Sequence, residues 1–110
     1  MTKIVGVTSC PTGIAHTYMS AEKLTKAAEA QGFEAQFETQ GAKVDNELTS
    51  ADIKSADAII LAIDRSIDKS RFAGLRVKEV ATKRAIKEPE KVIEEALAGE
   101  GMTKVAEGSA

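Results

Sequence analysis

The feature that most limits how this chain can fold is the run AIILAI at residues 58–63, six apolar residues with no polar break. A strand with one wet face alternates apolar and polar side chains, so a strand that is apolar on both faces has to be covered on both. The run therefore predicts a central strand of a parallel sheet with helices over each side. A second β-branched stretch, KIVGVT at residues 3–8, reads as another buried strand. Around these two, strand and helix patterns alternate. Ile14, Tyr18, Ala21, Leu24 and Ala28 recur on one helical face, which predicts a long amphipathic helix over residues 14–31 with Gly32 as its stop. FEAQFETQ at residues 33–40 alternates with period two, the pattern of a half-covered strand at a sheet edge. A polar connection over 41–47 leads to a short helix at 51–55, capped by Thr49 or Ser50 and carrying Asp52 in its first turn. After AIILAI, residues 64–74 are polar and basic with Phe72 as their large apolar anchor, and a fourth strand is expected at 76–80. Pro89 is placed to open a last helix to Ala98, with Val92, Ile93, Ala96 and Leu97 as its buried stripe and Gly99 as its stop.

Alternating strands and helices give a parallel sheet with right-handed crossovers, and every strand-to-helix loop then falls on one edge of that sheet. A chain of 110 residues holds one such domain, expected over residues 1–99, and the Gly-rich stretch from 100 to 110 reads as a flexible tail or linker. With aromatics at only 4%, the core has to be aliphatic, with Phe33, Phe37, Phe72 and Tyr18 as its largest pieces. Fifteen basic against seventeen acidic residues, without a long run of either sign, argue against a nucleic-acid partner. One Cys and one His allow neither an internal disulfide nor a Cys/His zinc cluster, and neither a metal nor an organic cofactor is expected. No apolar run approaches the ~20 residues of a membrane span and the start lacks a secretory signal, so the expected location is the reducing cytoplasm, without membrane insertion.

The loop that follows the first strand and opens the first helix is the string CPTGIAHT. Free backbone N–H groups and the helix dipole converge at such a place, which makes it an anion site and favours the thiolate of Cys10 over the thiol. A thiolate there is a nucleophile. Donors that stabilise it are also placed for the equatorial oxygens of a phosphoryl group. The spacing from Cys10 across five residues to His16 and Thr17 overlays the C-x5-R-[ST] pattern of cysteine-dependent phosphatases, with His in place of Arg. Arg clamps phosphate with a permanent bidentate fork, whereas His offers fewer donors and a charge that depends on pH. Phosphate should then be held less tightly, and a site that makes a thiophosphate without hydrolysing it suits a relay.

With these residues in view, KIVGVTSCPTGIAHTYMSAEKL, the RFAG segment at residues 71–74 and AIKEPEKVIEEAL resemble the fructose-type IIB component of the bacterial phosphoenolpyruvate-dependent sugar phosphotransferase system. The resemblance covers residues 3–99, and CPTGIAHT is its specific string; in the family RFAG is commonly followed by Lys, where this chain has Leu75 and then Arg76. It implies an α/β fold with an open four-stranded parallel sheet flanked by helices on both faces, Rossmann-like and three-layered. It also implies a phosphotransferase acting through a phosphocysteine at Cys10, cradled by Pro11, Thr12, Gly13, Ile14, Ala15, His16 and Thr17. The group would come from phosphohistidine on a IIA partner and go to a sugar, fructose by default, held by a membrane-embedded IIC partner.

Other readings stand beside this one. The same loop fits a small cysteine phosphatase or arsenate-reductase-like protein, for which Asp64 or Asp68 is the candidate acid, or a module that senses redox state or docks anions through Cys10. His16 is equally well a helix-start residue bonded to a nearby carbonyl or a holder of phosphate. Thr12 and Thr17 combine capping with donation to sulfur or a phosphoryl oxygen. Gly13 lets the backbone approach an anion, and Pro11 stiffens the loop. Met19 is a candidate partner contact, and Arg65, Lys69 and Arg71 are candidates for steering a phosphorylated partner, with a solvated charged turn as the plainer account of them.

Overall fold

The computed structural model describes residues 2–10, 14–41, 43–64, 67 and 69–105. The elements run β1 (Lys3–Ser9), α1 (Ile14–Ala30), β2 (Glu34–Gln40), β3 (Val44–Asp45), α2 (Ser50–Ser55), β4 (Ala58–Ile63), a 3-10 turn (Ser70–Phe72), β5 (Arg76–Val80), α3 (Thr82–Lys87), α4 (Pro89–Ala98) and β6 (Thr103–Lys104). They form one sheet in the order β3-β2-β1-β4-β5-β6. The four inner strands are parallel, as expected of an α/β fold with helices on both faces, and β3 and β6 add short antiparallel edges to β2 and β5.

The AIILAI run occupies β4, and its two-faced character has a direct structural cause. Ala58, Ile60 and Ala62 join Ile4, Leu24, Ala28, Ala85, Val92 and Ile93 in the core under α1, α3 and α4. Ile59 and Leu61 join Val5, Val7, Leu48, Ile53, Phe72 and Val77 on the opposite face, under α2 and the 3-10 turn. Each fully buried aliphatic side chain of this kind contributes about 1.5–3 kcal/mol, so the two half-cores together hold the sheet between its helical layers. Gly6 lies on the α1 face of β1, where a Cβ would sit 2.1 Å from the Ile60 carbonyl oxygen and 2.6 Å from the Phe37 ring. Only Gly lets the ring lie across β1 at that point.

α2 starts on a reciprocal cap: Thr49 Oγ1 accepts from the Asp52 amide at 3.1 Å and Asp52 Oδ2 accepts from the Thr49 amide at 3.0 Å. α4 opens on Pro89 and ends at Gly99 in the left-handed region, as the sequence predicts.

The structure corrects several expectations. Two edge strands extend the anticipated four, so β2 is covered by β3 rather than outermost. Two-residue strands carry too little pattern to be read from sequence. α3 was not anticipated, because its N-cap is Ala81 and no capping side chain announces it. Tyr18 is 38% exposed and Leu97 also 38%, both outside the core, and Phe33 is half-buried against it. In the segment read as a tail, β6 pairs with β5 and Val105 is buried in the second half-core, so packed chain continues at least to Val105.

Candidate functional site

The parallel register brings the end of β1 beside the end of β4. Ser9 pairs with Ile63, and the Asp64 amide donates to the Ser9 carbonyl at 3.0 Å, which sets Cys10 and Asp64 side by side at the edge of the sheet. Cys10 is half-buried there. α1 begins at Ile14, so its N-terminus opens at the same edge. Of the predicted loop residues, Pro11, Thr12 and Gly13 lie outside the described residues, as do Arg65 and Asp68, and Ile14 is described only as the start of α1. Ala15 and His16 are exposed on the first turn of α1.

Thr17 is fully buried, one turn into the helix. Its carbonyl accepts from Thr8 Oγ1 at 2.8 Å, which fastens α1 to β1 two residues before Cys10, and Ser20 Oγ bonds the His16 and Thr17 carbonyls at 2.8 and 3.1 Å. Among the described residues the Thr17 hydroxyl has no hydrogen-bond partner. Buried polar atoms almost always have partners, which makes this hydroxyl an exception.

Asp64 is the best-anchored polar group of the site. Its Oδ1 accepts from the Thr82 amide at 3.0 Å and its Oδ2 from Thr82 Oγ1 at 2.6 Å, so the carboxylate ties β4 to the first turn of α3. Partial burial acts to raise its pKa. The bonds from Thr82, a hydrogen bond with the Cys10 side chain and the charge of His16 outweigh that and hold the carboxyl below its ordinary range. Sequence reasoning named Asp64 as a candidate acid but missed Thr82, whose part depends on the unanticipated α3.

The two described basic residues of the segment 64–74 are engaged within the protein. Lys69 pairs with Glu79 at 2.9 Å. Arg71 reaches across to β2 and binds both oxygens of the buried Glu38, at 2.8 and 2.9 Å, and its guanidinium lies 5.3 Å from the centre of the Phe72 ring. Glu38 also accepts from the Leu48 amide at 2.9 Å and from Gln40 Nε2 at 2.8 Å. These two cations are therefore braces between elements rather than parts of a solvated charged turn. Met19 is 43% exposed, consistent with a surface position.

Among the described residues no three His, Cys, Asp or Glu side chains stand close enough to hold a metal ion, and no helix is long and apolar enough to cross a membrane.

Residues 5–95 match the family described as PTS system, Lactose/Cellobiose specific IIB subunit. The chain belongs to the IIB family of the sugar phosphotransferase system. Within that family its similarity lies with fructose-type members. It is 47% identical over 95 residues to the PTS system fructose-like EIIB component 2 of Escherichia coli K12, covering 84% of this chain and 90% of that protein. It is 46% identical over 101 residues to the PTS system fructose-specific EIIB'BC component of Xanthomonas campestris, covering 91% of this chain but 17% of the longer protein. A similar share, 15%, is spanned in the fructose-specific EIIABC component of Bacillus subtilis, at 43% identity over 86% of this chain. The crystal structure of a domain from the fructose-specific IIABC component of Borrelia burgdorferi superposes with a TM-score of 0.84 at 46% identity, covering 88% of this chain and 94% of that one. The solution structure of the Enzyme IIB subunit of the PTS system from Escherichia coli K12 does so with 0.79 at 38% identity, covering 89% and 95%. This IIB chain thus spans a small part of some relatives and nearly all of others.

Proposed function

We propose that this fructose-type IIB domain carries a phosphoryl group on Cys10, taken from phosphohistidine of a IIA partner and passed to a sugar, fructose by default, bound by a membrane IIC partner. The reaction is that of a protein-phosphohistidine:sugar phosphotransferase, and it takes place at the cytoplasmic face of the membrane. The observation that carries the reading is the position of Cys10: a half-buried thiol at the end of β1, at the sheet edge where α1 begins. A sulfur there is open to a second protein yet lies beside the donors of a helix N-terminus.

In this reading the sulfur attacks the phosphorus of phosphohistidine as the N–P bond breaks. Binding the equatorial oxygens falls to the backbone N–H groups of the loop from Pro11 to Thr17, the role that the family resemblance implies for it. The buried Thr17 hydroxyl, which has no partner among the described residues, donates a hydrogen bond to the sulfur or to a phosphoryl oxygen. His16, exposed in the place where a phosphatase carries Arg, adds a weaker and reversible contact. Fusion of related IIB segments in proteins named EIIB'BC and EIIABC supports IIA and IIC partners. Of the two candidate acids of a phosphatase, Asp64 has its carboxyl held below the ordinary range and is a poor proton donor near neutral pH.

The test is intact mass measurement after incubation with a phosphorylated fructose-type IIA protein, followed by mapping of the adduct. One phosphoryl group on Cys10, lost in Cys10→Ser together with sugar phosphorylation, is the expected result. An adduct on His16 with Cys10 unmodified would refute it.

A further inference from the structure

Asp64 has a placement that phosphoryl acceptance by itself does not explain. An ionised carboxylate sits against the one side chain that has to receive a phosphoryl dianion, and it is fixed there by two bonds from Thr82 and by the β1–β4 register. A carboxylate that served only to cap α3 would do so equally well facing away from the sulfur. Among the described residues, His16 acts on the Asp64 carboxylate through its charge and the neutral Thr82 of α3 holds both of its oxygens.

We infer that Asp64 is a positioning residue that orients the Cys10 sulfur when it is empty and repels the phosphoryl group when it is loaded, so that the phosphocysteine is poised for onward transfer. The inference rests on Cys10 being the phosphorylated residue. In loading, an electron pair of sulfur forms the S–P bond, the N–P bond breaks with its pair on the imidazole nitrogen, and the thiol proton ends on that nitrogen. In delivery, the S–P bond breaks with its pair on sulfur, a sugar hydroxyl oxygen takes the phosphorus, and the hydroxyl proton returns to sulfur. The Asp64 charge is unchanged throughout. It acts oppositely on the two states: as a hydrogen-bond acceptor it suits the empty thiol, and as a neighbouring negative charge it disfavours the loaded dianion. Thr82 keeps the carboxylate from swinging away and losing that selectivity.

Asp64→Asn keeps the shape and removes the charge. At equilibrium with a phosphorylated IIA protein, the ratio of phosphocysteine to phosphohistidine should rise about fivefold to tenfold in this variant at low salt, and most of the gain should disappear at about 0.5 M salt. Asp64→Ser should raise the ratio likewise and keeps the test open if the Asn variant does not fold, while Asp64→Glu, which restores the charge, should stay within about twofold of the parent. A merely structural role moves the ratio down, through damage to the site, so the sign of the change discriminates. A ratio that is unchanged or lower in the neutral variants, with Cys10 phosphorylated normally in the parent, overturns the role of Asp64 alone. A parent chain that takes no phosphoryl group on Cys10 overturns both this inference and the phosphocarrier reading.

Discussion

Replacing Arg71 by Met removes both charged bonds to Glu38, a side chain 1% exposed at the centre of β2. What remains to the carboxylate is one bond from the Leu48 amide and one from Gln40 Nε2. Breaking a buried ion pair by deleting one partner costs about 3–5 kcal/mol, because the surviving charge stays desolvated. Arg71 is 29% exposed, so part of the pair already faces water and a cost of about 2–4 kcal/mol is the better expectation. The dependence on pH gives a sharper check. In the parent, burial raises the Glu38 pKa, but hydrogen bonds from Arg71, Gln40 and Leu48 and the Arg71 charge outweigh it, so the folded value lies below the ordinary one. A depressed folded value stabilises the protein above the unfolded pKa, and that contribution is lost as pH falls through the folded pKa. In Arg71→Met, burial has much less opposing it, and stability should fall less, or even rise, on acidification over the same interval. Urea unfolding of both proteins between neutral pH and pH 4 measures the difference directly. A loss under about 1 kcal/mol at neutral pH, or parallel pH profiles, would refute the assignment of the Arg71–Glu38 pair as the brace between β2 and the 3-10 turn.

Other substitutions probe the core, the orphaned hydroxyl and the chain end. Gly6→Ala forces the Ile60 carbonyl or the Phe37 ring to move and should cost roughly 2–4 kcal/mol in chemical denaturation; a change within about 0.5 kcal/mol would mean that β1 has room there. Thr17→Val deletes a buried hydroxyl without a partner among the described residues, so the unfolding midpoint should hold or rise while phosphoryl uptake by Cys10 falls about tenfold. Equal uptake by the two proteins would return Thr17 to a purely structural part. A chain ended at Gly99 loses the burial of Val105 and its backbone bonds with Gly74 and Leu75, and should unfold at lower denaturant; an unchanged midpoint would make β6 an ornament.

Much of this molecule was legible in its sequence because the determining forces are local or periodic. Side-chain alternation and its absence gave β1, β2 and β4, helical spacing gave α1 and α4, and Thr49 with Asp52 marked α2. Phe72 was readable as an anchor because a large apolar side chain in a polar loop has to go somewhere dry. CPTGIAHT was readable because a cysteine between a buried strand and a helix start is an uncommon chemical setting. Beyond those reaches only the tertiary structure decided. β3 and β6 are held by edges that the neighbouring strands supply, and α3 by packing against α1 and α4, so none carries its own signal. Arg71 and Glu38 are 33 residues apart, and Asp64 and Thr82 are 18 apart. A sequence records that such charges and hydroxyls exist, but their partners are fixed by the tertiary structure: the strand register places Cys10 beside Asp64, and the packing of α1 on β1 buries the Thr17 hydroxyl without a partner among the described residues.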